Sequence, residues 1–203
     1  MTIYKQSSAF TKKLVLEHAS RLLLDGGPPV FRMRDLAESL GVTIPYIYKH
    51  FKSREEIISE AYLFLLTAQV EREIALFQPP SKPFETAHEF FQYVREIVKD
   101  PEDTYEESRR LRLQGLAATL YDEDSEKEVA LLTARHHDAL VNLIHFAQSN
   151  GSITEAINPD LFAFLIISIR IGFVIQDVKA GAKVTDDEVW ELYEAAFLLL
   201  QAN

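Results

Sequence analysis

One glycine constrains this chain more than any other residue. Gly41 stands between two short apolar runs of helical spacing, with no room for a longer connection. Upstream, Met33, Leu36, Ala37 and Leu40 fall at i, i+3, i+4 and i+7, one face of a two-turn helix. Gly41 then supplies the left-handed residue that ends such a helix at little steric cost. Downstream, Thr43 is placed as an N-cap and Pro45 lies in the first turn, where its missing N–H does no harm. Ile44, Ile47, Tyr48 and Phe51 give the second run its inner side. Two short amphipathic helices joined by a glycine turn form a helix-turn-helix, a unit whose second helix enters the DNA major groove.

The rest of the chain reads as helical. Thr11 to Leu24 has a wide inner face of Leu14, Val15, His18, Ala19, Leu22 and Leu23, and GGPP at 26–29 ends it. Ser53 and Glu56 form a capping box for a long helix from Arg54 to about Phe77, about 24 residues and about 36 Å. PPSKP at 79–83 is the clearest break. Further helices are expected at Phe84–Lys99, from after Pro101 to about Tyr121, and from Asp124 or Ser125 to Ser149. Two more are expected at Leu161–Val178 and Val189–Gln201, the last capped by Thr185 and Glu188. The expected fold is all-α with about nine helices: a helix-turn-helix domain over 1–53, and a ligand-binding and dimerisation domain over 54–203.

With no cysteine, neither disulfides nor thiolate chemistry is available, and a reducing cytoplasm is the expected compartment. The N-terminus lacks the apolar core of a signal peptide. Leu161 to Ile175, the longest apolar run, is interrupted by Ser168 and Arg170 and falls short of the ~18 residues a membrane span needs. The net charge of −10 opposes a DNA partner until its distribution is considered. Residues 1–60 hold nine Lys and Arg against seven acids, a balance of +2, which leaves −12 on the remainder. Only the N-terminal part is therefore electrostatically fit to meet phosphate. No GxGxxG, P-loop, HExxH or GxSxG motif occurs, so an enzyme is not expected.

Candidate sites follow from these helices. On a helical wheel Tyr46 and Lys49 point away from the inner side, flanked by Pro45 and His50, so they would face base edges. Thr43, Tyr48, His50 and Lys52 would hold phosphates, and Arg54 would add charge at a helix N-terminus. Arg32 and Arg34 complete the expected DNA-facing set. For a dimer, the nearly all-apolar helix offers Phe162, Leu165, Ile169, Gly172 and Phe173, and the last helix offers Tyr193, Ala196, Phe197 and Leu200. A helix apolar on every side must be covered on every side, and a two-fold dimer suits half-sites about 34 Å apart. Phe91, Arg112, Tyr121, His137 and Arg170 are the candidate ligand-facing residues, with an ion pair as the alternative use of Arg170. The histidines share no ligand spacing, so no metal is expected. No cofactor is expected either.

The runs VLEHASRLLLDGG at 15–27, MRDLAESLGVT at 33–43 and PYIYKHFKSREEI at 45–57 resemble the N-terminal domain of TetR/AcrR-type transcriptional regulators. The resemblance covers about residues 10–62, with Gly41-Val42-Thr43, Ile47-Tyr48, His50-Phe51 and Glu55 in register. It implies phosphate contacts from Thr43, Tyr48, His50 and Arg54, and leaves Pro45, Tyr46 and Lys49 nearest the bases. It departs at Arg32, where the family usually has Ser or Thr as a cap, and at Arg54, which replaces the usual Lys. It also implies a C-terminal helical domain that dimerises through its last two long helices and holds a small-molecule effector, with the helix from Arg54 as a lever between effector and DNA. The expected protein is thus a homodimeric repressor released from a palindromic operator on double-stranded DNA, with no membrane partner. The alternative is a helical small-molecule-binding protein without DNA recognition.

Overall fold

A computed structural model describes residues 8–98, 113–117, 123–177 and 185–201. All regular structure among them is α-helical. The elements are α1 (Ser8–Val30), α2 (Met33–Leu40), α3 (Ile44–Ile47), α4 (Arg54–Leu76), α5 (Ala87–Val98), α6 (Glu123–Ser149), α7 (Pro159–Asp177) and α8 (Asp186–Gln201). Residues 113–117 are helical as well. The rest of the helix expected after Pro101 lies outside the described residues. Two compact units divide the chain, Met1–Ala68 with Gln114–Lys127 and Gln69–Leu113 with Glu128–Asn203.

In the first unit, α1 is broken at Gly27 (φ 67°, ψ −177°), a backbone state that glycine adopts without the clash of a Cβ. Its inner face, Val15, Ala19 and Leu23, closes on Phe31, Leu36, Ala37, Leu40, Ile47, Phe51, Ile57 and Ala61, all buried. Fully burying the Val, Leu, Ile and Phe side chains among them contributes roughly 1.5–3 kcal/mol each before entropy is counted. Polar ties fix the helices at their crossings. His18 Nδ1 lies 3.0 Å from Ser39 Oγ, and Ser20 Oγ donates to the carbonyl of Ala61 at 3.4 Å. Lys12 reaches Glu60 at 3.3 Å while its ammonium stands 5.0 Å over the Phe51 ring. The return segment packs closely here, since a Cβ on Gly115 would come within 2.7 Å of Leu66 Cβ.

The caps decide where helices begin. Ser53 Oγ accepts from the Glu56 N–H at 3.0 Å, and the Glu56 carboxylate takes the N–H of Lys52, one residue earlier than the usual reciprocal partner. At α5 the expected start is three residues too early. Phe84 has helical spacing to Phe91, but the cap is Thr86, whose Oγ1 accepts from Glu89 N at 3.2 Å while Glu89 accepts from Glu85 N at 2.8 Å. Phe84 therefore enters the core from the connection, edge-on to Phe90, Tyr93 and Phe146. The Asn158 carboxamide caps α7, accepting from Leu161 N at 3.0 Å. The box at α8 closes through Thr185 and Glu188 at 3.2 and 2.7 Å, which holds the Glu188 carboxyl below its ordinary range.

The second unit has an aromatic core. Phe77, Phe84, Phe90, Phe91 and Phe162 pack with Val94, Leu140, Leu143, Ile144 and Ile166. Tyr93 crosses the α4–α5 connection and donates its hydroxyl to the carbonyl of Gln78 at 2.9 Å, and burial pushes its phenol up. Beneath this core α4 buries an acid: Glu73 Oε2 stands 2.7 Å from His136 Nε2 on α6, both almost wholly buried, with Phe77 against the imidazole. On the surface nearby, Arg135 forks onto Glu71 at 2.6 and 3.0 Å.

The two pairs on α4 and α6 differ in worth. The exposed Arg135–Glu71 fork is screened by solvent and contributes little. Removing one member of the buried pair strips its partner inside the protein. Glu73→Ala should lower stability by about 3 kcal/mol, and Glu71→Ala by less than about 1 kcal/mol. Urea denaturation followed by circular dichroism checks both, and equal shifts for the two variants would show the buried pair to be unimportant.

Candidate nucleic-acid interface

The interface grows out of the turn at Gly41, whose φ of 65° and ψ of 31° are left-handed. Its N–H bonds to Glu38 O at 3.1 Å and the Val42 N–H to Ala37 O at 3.0 Å, which closes α2 and reverses the chain. Thr43 follows in extended conformation at the N-cap of α3, and Pro45 occupies the first turn. The Thr43 hydroxyl makes no cap hydrogen bond and is exposed, so it is available to an outside acceptor.

The second helix is shorter than its apolar spacing suggests. Only Ile44–Ile47 are α-helical, and the chain then tightens to i→i+3 bonds, Lys49 N to Tyr46 O at 3.2 Å and His50 N to Ile47 O at 2.9 Å. This changes one assignment. The 100° wheel sets Tyr48 on the inner side with Ile47 and Phe51, but Tyr48 is 42% exposed while Ile47 and Phe51 are 0% and 2%. Tyr48 keeps the α-helical bond of its N–H to Ile44 O at 3.1 Å and faces outward, while Phe51 stays in.

The outward residues form a cluster. The Tyr46 and His50 rings meet edge to face with centroids 5.5 Å apart, and Lys49 Nζ lies 5.9 Å from the Tyr46 ring centroid. Tyr46 and His50 are half-buried by these contacts, and Pro45, Tyr48 and Lys49 are exposed beside them. A face carrying an ammonium, two phenols and an imidazole can donate to phosphate or base acceptors and can stack. Lys52 is exposed at the end of this face.

The arginines are placed differently from one another. Arg34 is exposed and pairs with Glu38 at 3.0 Å, which raises its already high pKa. Arg32 holds the N-cap position of α2 without capping it, and its Nη1 turns back to Pro29 O at 2.7 Å and Phe31 O at 3.3 Å. Arg54 Nη2 donates to Pro28 O at 2.5 Å and to Phe31 O at 3.2 Å. Neither pattern is visible in the sequence, because the acceptors are main-chain carbonyls.

The other described candidates are in the second unit. Phe91 is buried against Phe90 and Phe162, and His137 Nε2 lies 3.3 Å from Asp160 Oδ1. Phe162 is itself core, whereas Leu165 is exposed beside Leu161 and Phe164. Tyr193 is half-buried, 6.2 Å from the Trp190 ring, and burial pushes its phenol up. Arg112 and Tyr121 lie outside the described residues, as do the side chains of Ile169, Arg170, Phe173, Ala196, Phe197 and Leu200 and the surroundings of Gly172. Among the described residues no group of three or more His, Asp or Glu could hold a metal ion, and no helix is long and apolar enough to cross a membrane.

The family model for bacterial regulatory proteins of the tetR family matches residues 15–61, the segment just described. No curated protein matches the chain in sequence. Solved structures resemble it along nearly its whole length. A regulator from Saccharomonospora viridis crystallised in complex with choline has a TM-score of 0.68 at 18% identity, with 94% of this chain and 96% of that one covered. The TetR family transcriptional regulator PfmR from Thermus thermophilus gives 0.56 at 24% identity, covering 91% and 97%. A transcriptional regulator of the TetR/AcrR family from Thermobifida fusca gives 0.60 at 19%, covering 93% and 97%. At these identities the likeness speaks for the fold, and the family model speaks for the helix-turn-helix. Residues 15–61 thus match the helix-turn-helix of the tetR family of bacterial regulatory proteins, and the chain shares the fold of such regulators along nearly its whole length.

Proposed function

We propose that the protein is a homodimeric, cytoplasmic repressor that leaves a palindromic operator when a small-molecule effector binds. The match of residues 15–61 to the tetR family model supports a DNA-binding regulator rather than an enzyme. The observation that carries the finer reading is the outward face of Pro45, Tyr46, Tyr48, Lys49 and His50, held rigid by the buried Ile47 and Phe51 behind it. In this reading Lys49 and Tyr46 read base edges, and Thr43, Tyr48, His50 and Lys52 hold phosphates, with Arg34 as added charge. The acidic remainder of the chain keeps DNA to that face.

Division of labour falls near Arg54, with residues 1–53 for DNA and 54–203 for effector and dimer. Release works by linkage: an effector that prefers the conformation with the wrong spacing of recognition helices weakens operator binding by its differential affinity. The choline in the Saccharomonospora viridis structure supports a small-molecule effector without identifying the one used here. Phe91 and His137 are the described candidates for lining its site, with Arg112, Tyr121 and Arg170 as further ones. For the dimer, Leu161, Phe164 and Leu165 leave a strongly apolar strip on α7, 60%, 59% and 44% exposed in the single chain. A strip of that kind suits an isologous contact with its own copy, to which α8 adds Tyr193, Ala196, Phe197 and Leu200.

Three outcomes test this reading. The purified chain should shift a palindromic fragment from the DNA flanking its own gene at low salt. If it binds no such fragment, the chain is a helical small-molecule-binding protein instead. Lys49→Ala should change which base pairs are preferred at one position of each half-site, at a cost of about 1–3 kcal/mol on the preferred site. Tyr48→Phe should weaken all sequences alike, and selection from randomised half-sites separates the two behaviours. Sedimentation at micromolar concentration should give a dimer mass, and Phe164→Glu with Leu165→Glu should give a folded monomer; a wild-type monomer refutes the interface.

A further inference from the structure

We propose that Arg54 and Arg32 do not serve as phosphate contacts but form a carbonyl clasp that positions the helix-turn-helix. The clasp lies wholly within the first unit. α1 is broken at Gly27, and the segment after it carries Pro28 and Pro29, which have no N–H to give. The carbonyls of Pro28 and Pro29, after the break, and of Phe31, just past the end of α1, are main-chain acceptors that call for donors. Both arginines turn to them. Arg54 Nη2 takes Pro28 O at 2.5 Å and Phe31 O at 3.2 Å, and its Nε lies 3.4 Å from Phe31 O. The guanidinium carbon sits 5.6 Å from the Phe31 ring centroid, and the remaining Nη1 reaches Glu55 Oε1 at 3.4 Å. Arg32 Nη1 closes the other side on Pro29 O at 2.7 Å and Phe31 O at 3.3 Å.

What the clasp joins gives it a role. Arg54 is the first residue of α4, and Arg32 immediately precedes α2, whose first hydrogen bond is Leu36 N to Arg32 O at 3.2 Å. The turn at 28–31 is thus held from both ends, and any displacement of the first turn of α4 pulls on the start of α2. All three nitrogens of the Arg54 fork are engaged, so phosphate would have to compete with acceptors already in place. Lysine could not substitute, because one ammonium cannot span two carbonyls and lie on a ring face in the same geometry. Arg54 and Arg32 are positioning residues: they set the angle at which Tyr46 and Lys49 are presented.

The salt dependence of DNA binding separates the clasp from a phosphate contact. A phosphate contact contributes about 0.9 to the slope of log affinity against log salt. Arg54→Lys and Arg54→Gln, each shown folded by circular dichroism at the assay temperature, should both bind DNA about 10-fold or more weakly with the wild-type slope. A slope reduced by about 0.9 per protomer in Arg54→Gln, or wild-type affinity in Arg54→Lys, overturns the clasp. If neither Arg54 variant folds, Arg32→Gln takes their place with the same two criteria. The DNA-binding reading enters only through this readout. In the free chain, hydrogen exchange at the Leu36 amide should quicken about 10-fold in the same variants, and unchanged exchange there overturns the clasp whether or not DNA is bound. Wild-type protein that binds no DNA while its variants exchange faster would sink the repressor reading and leave the clasp standing.

Discussion

The reversal of direction at Gly41 is the constraint on which the helix-turn-helix depends. A side chain at φ 65° would meet its own backbone, and without that conformation α2 could not deliver its last carbonyls to the N–H groups of Gly41 and Val42. Everything beyond follows from where the chain is then aimed. Ile47 and Phe51 are buried in the first unit, and their burial leaves the intervening polar residues outward. The outward face proposed to read DNA is therefore what remains after the core has taken its share of a short segment.

Much of this is legible in the sequence, and the reasons differ by element. Glycine and proline announce backbone states directly, so the Gly41 and Pro45 turns can be placed to the residue, whereas the helix expected to end at Leu24 runs on through a break at Gly27 to Val30. Capping boxes at Ser53 and Thr185 are equally plain, since hydroxyl and carboxylate stand three residues apart. The same signal at Thr86 and Glu89 is masked because Phe84 continues the apolar period. A periodic residue need not belong to the helix it anticipates.

Other features are hidden for physical reasons. A helical wheel groups Tyr48 with Ile47 and Phe51, yet Tyr48 stands a full residue step of about 100° from Ile47 and is exposed. Arg54 reads as a free cation because nothing in a sequence marks a carbonyl as unsatisfied. Its acceptors lie 23 and 26 residues upstream and become available only through two prolines and a broken helix. The Glu73–His136 contact is hidden for a related cause: each residue looks like an ordinary member of a polar helix face until α4 and α6 are packed.

The exposed strip of Leu161, Phe164 and Leu165 has a consequence for how the protein behaves in quantity. If a second copy covers that strip, association removes apolar surface only when another molecule is present, so folding free energy acquires a term in the protein's own concentration. Dilution then loosens the second unit, and a sparsely expressed regulator is also a less durable one. Its cellular lifetime would rise with its abundance, and scarcity alone would hasten its removal by proteases that act on opened chains.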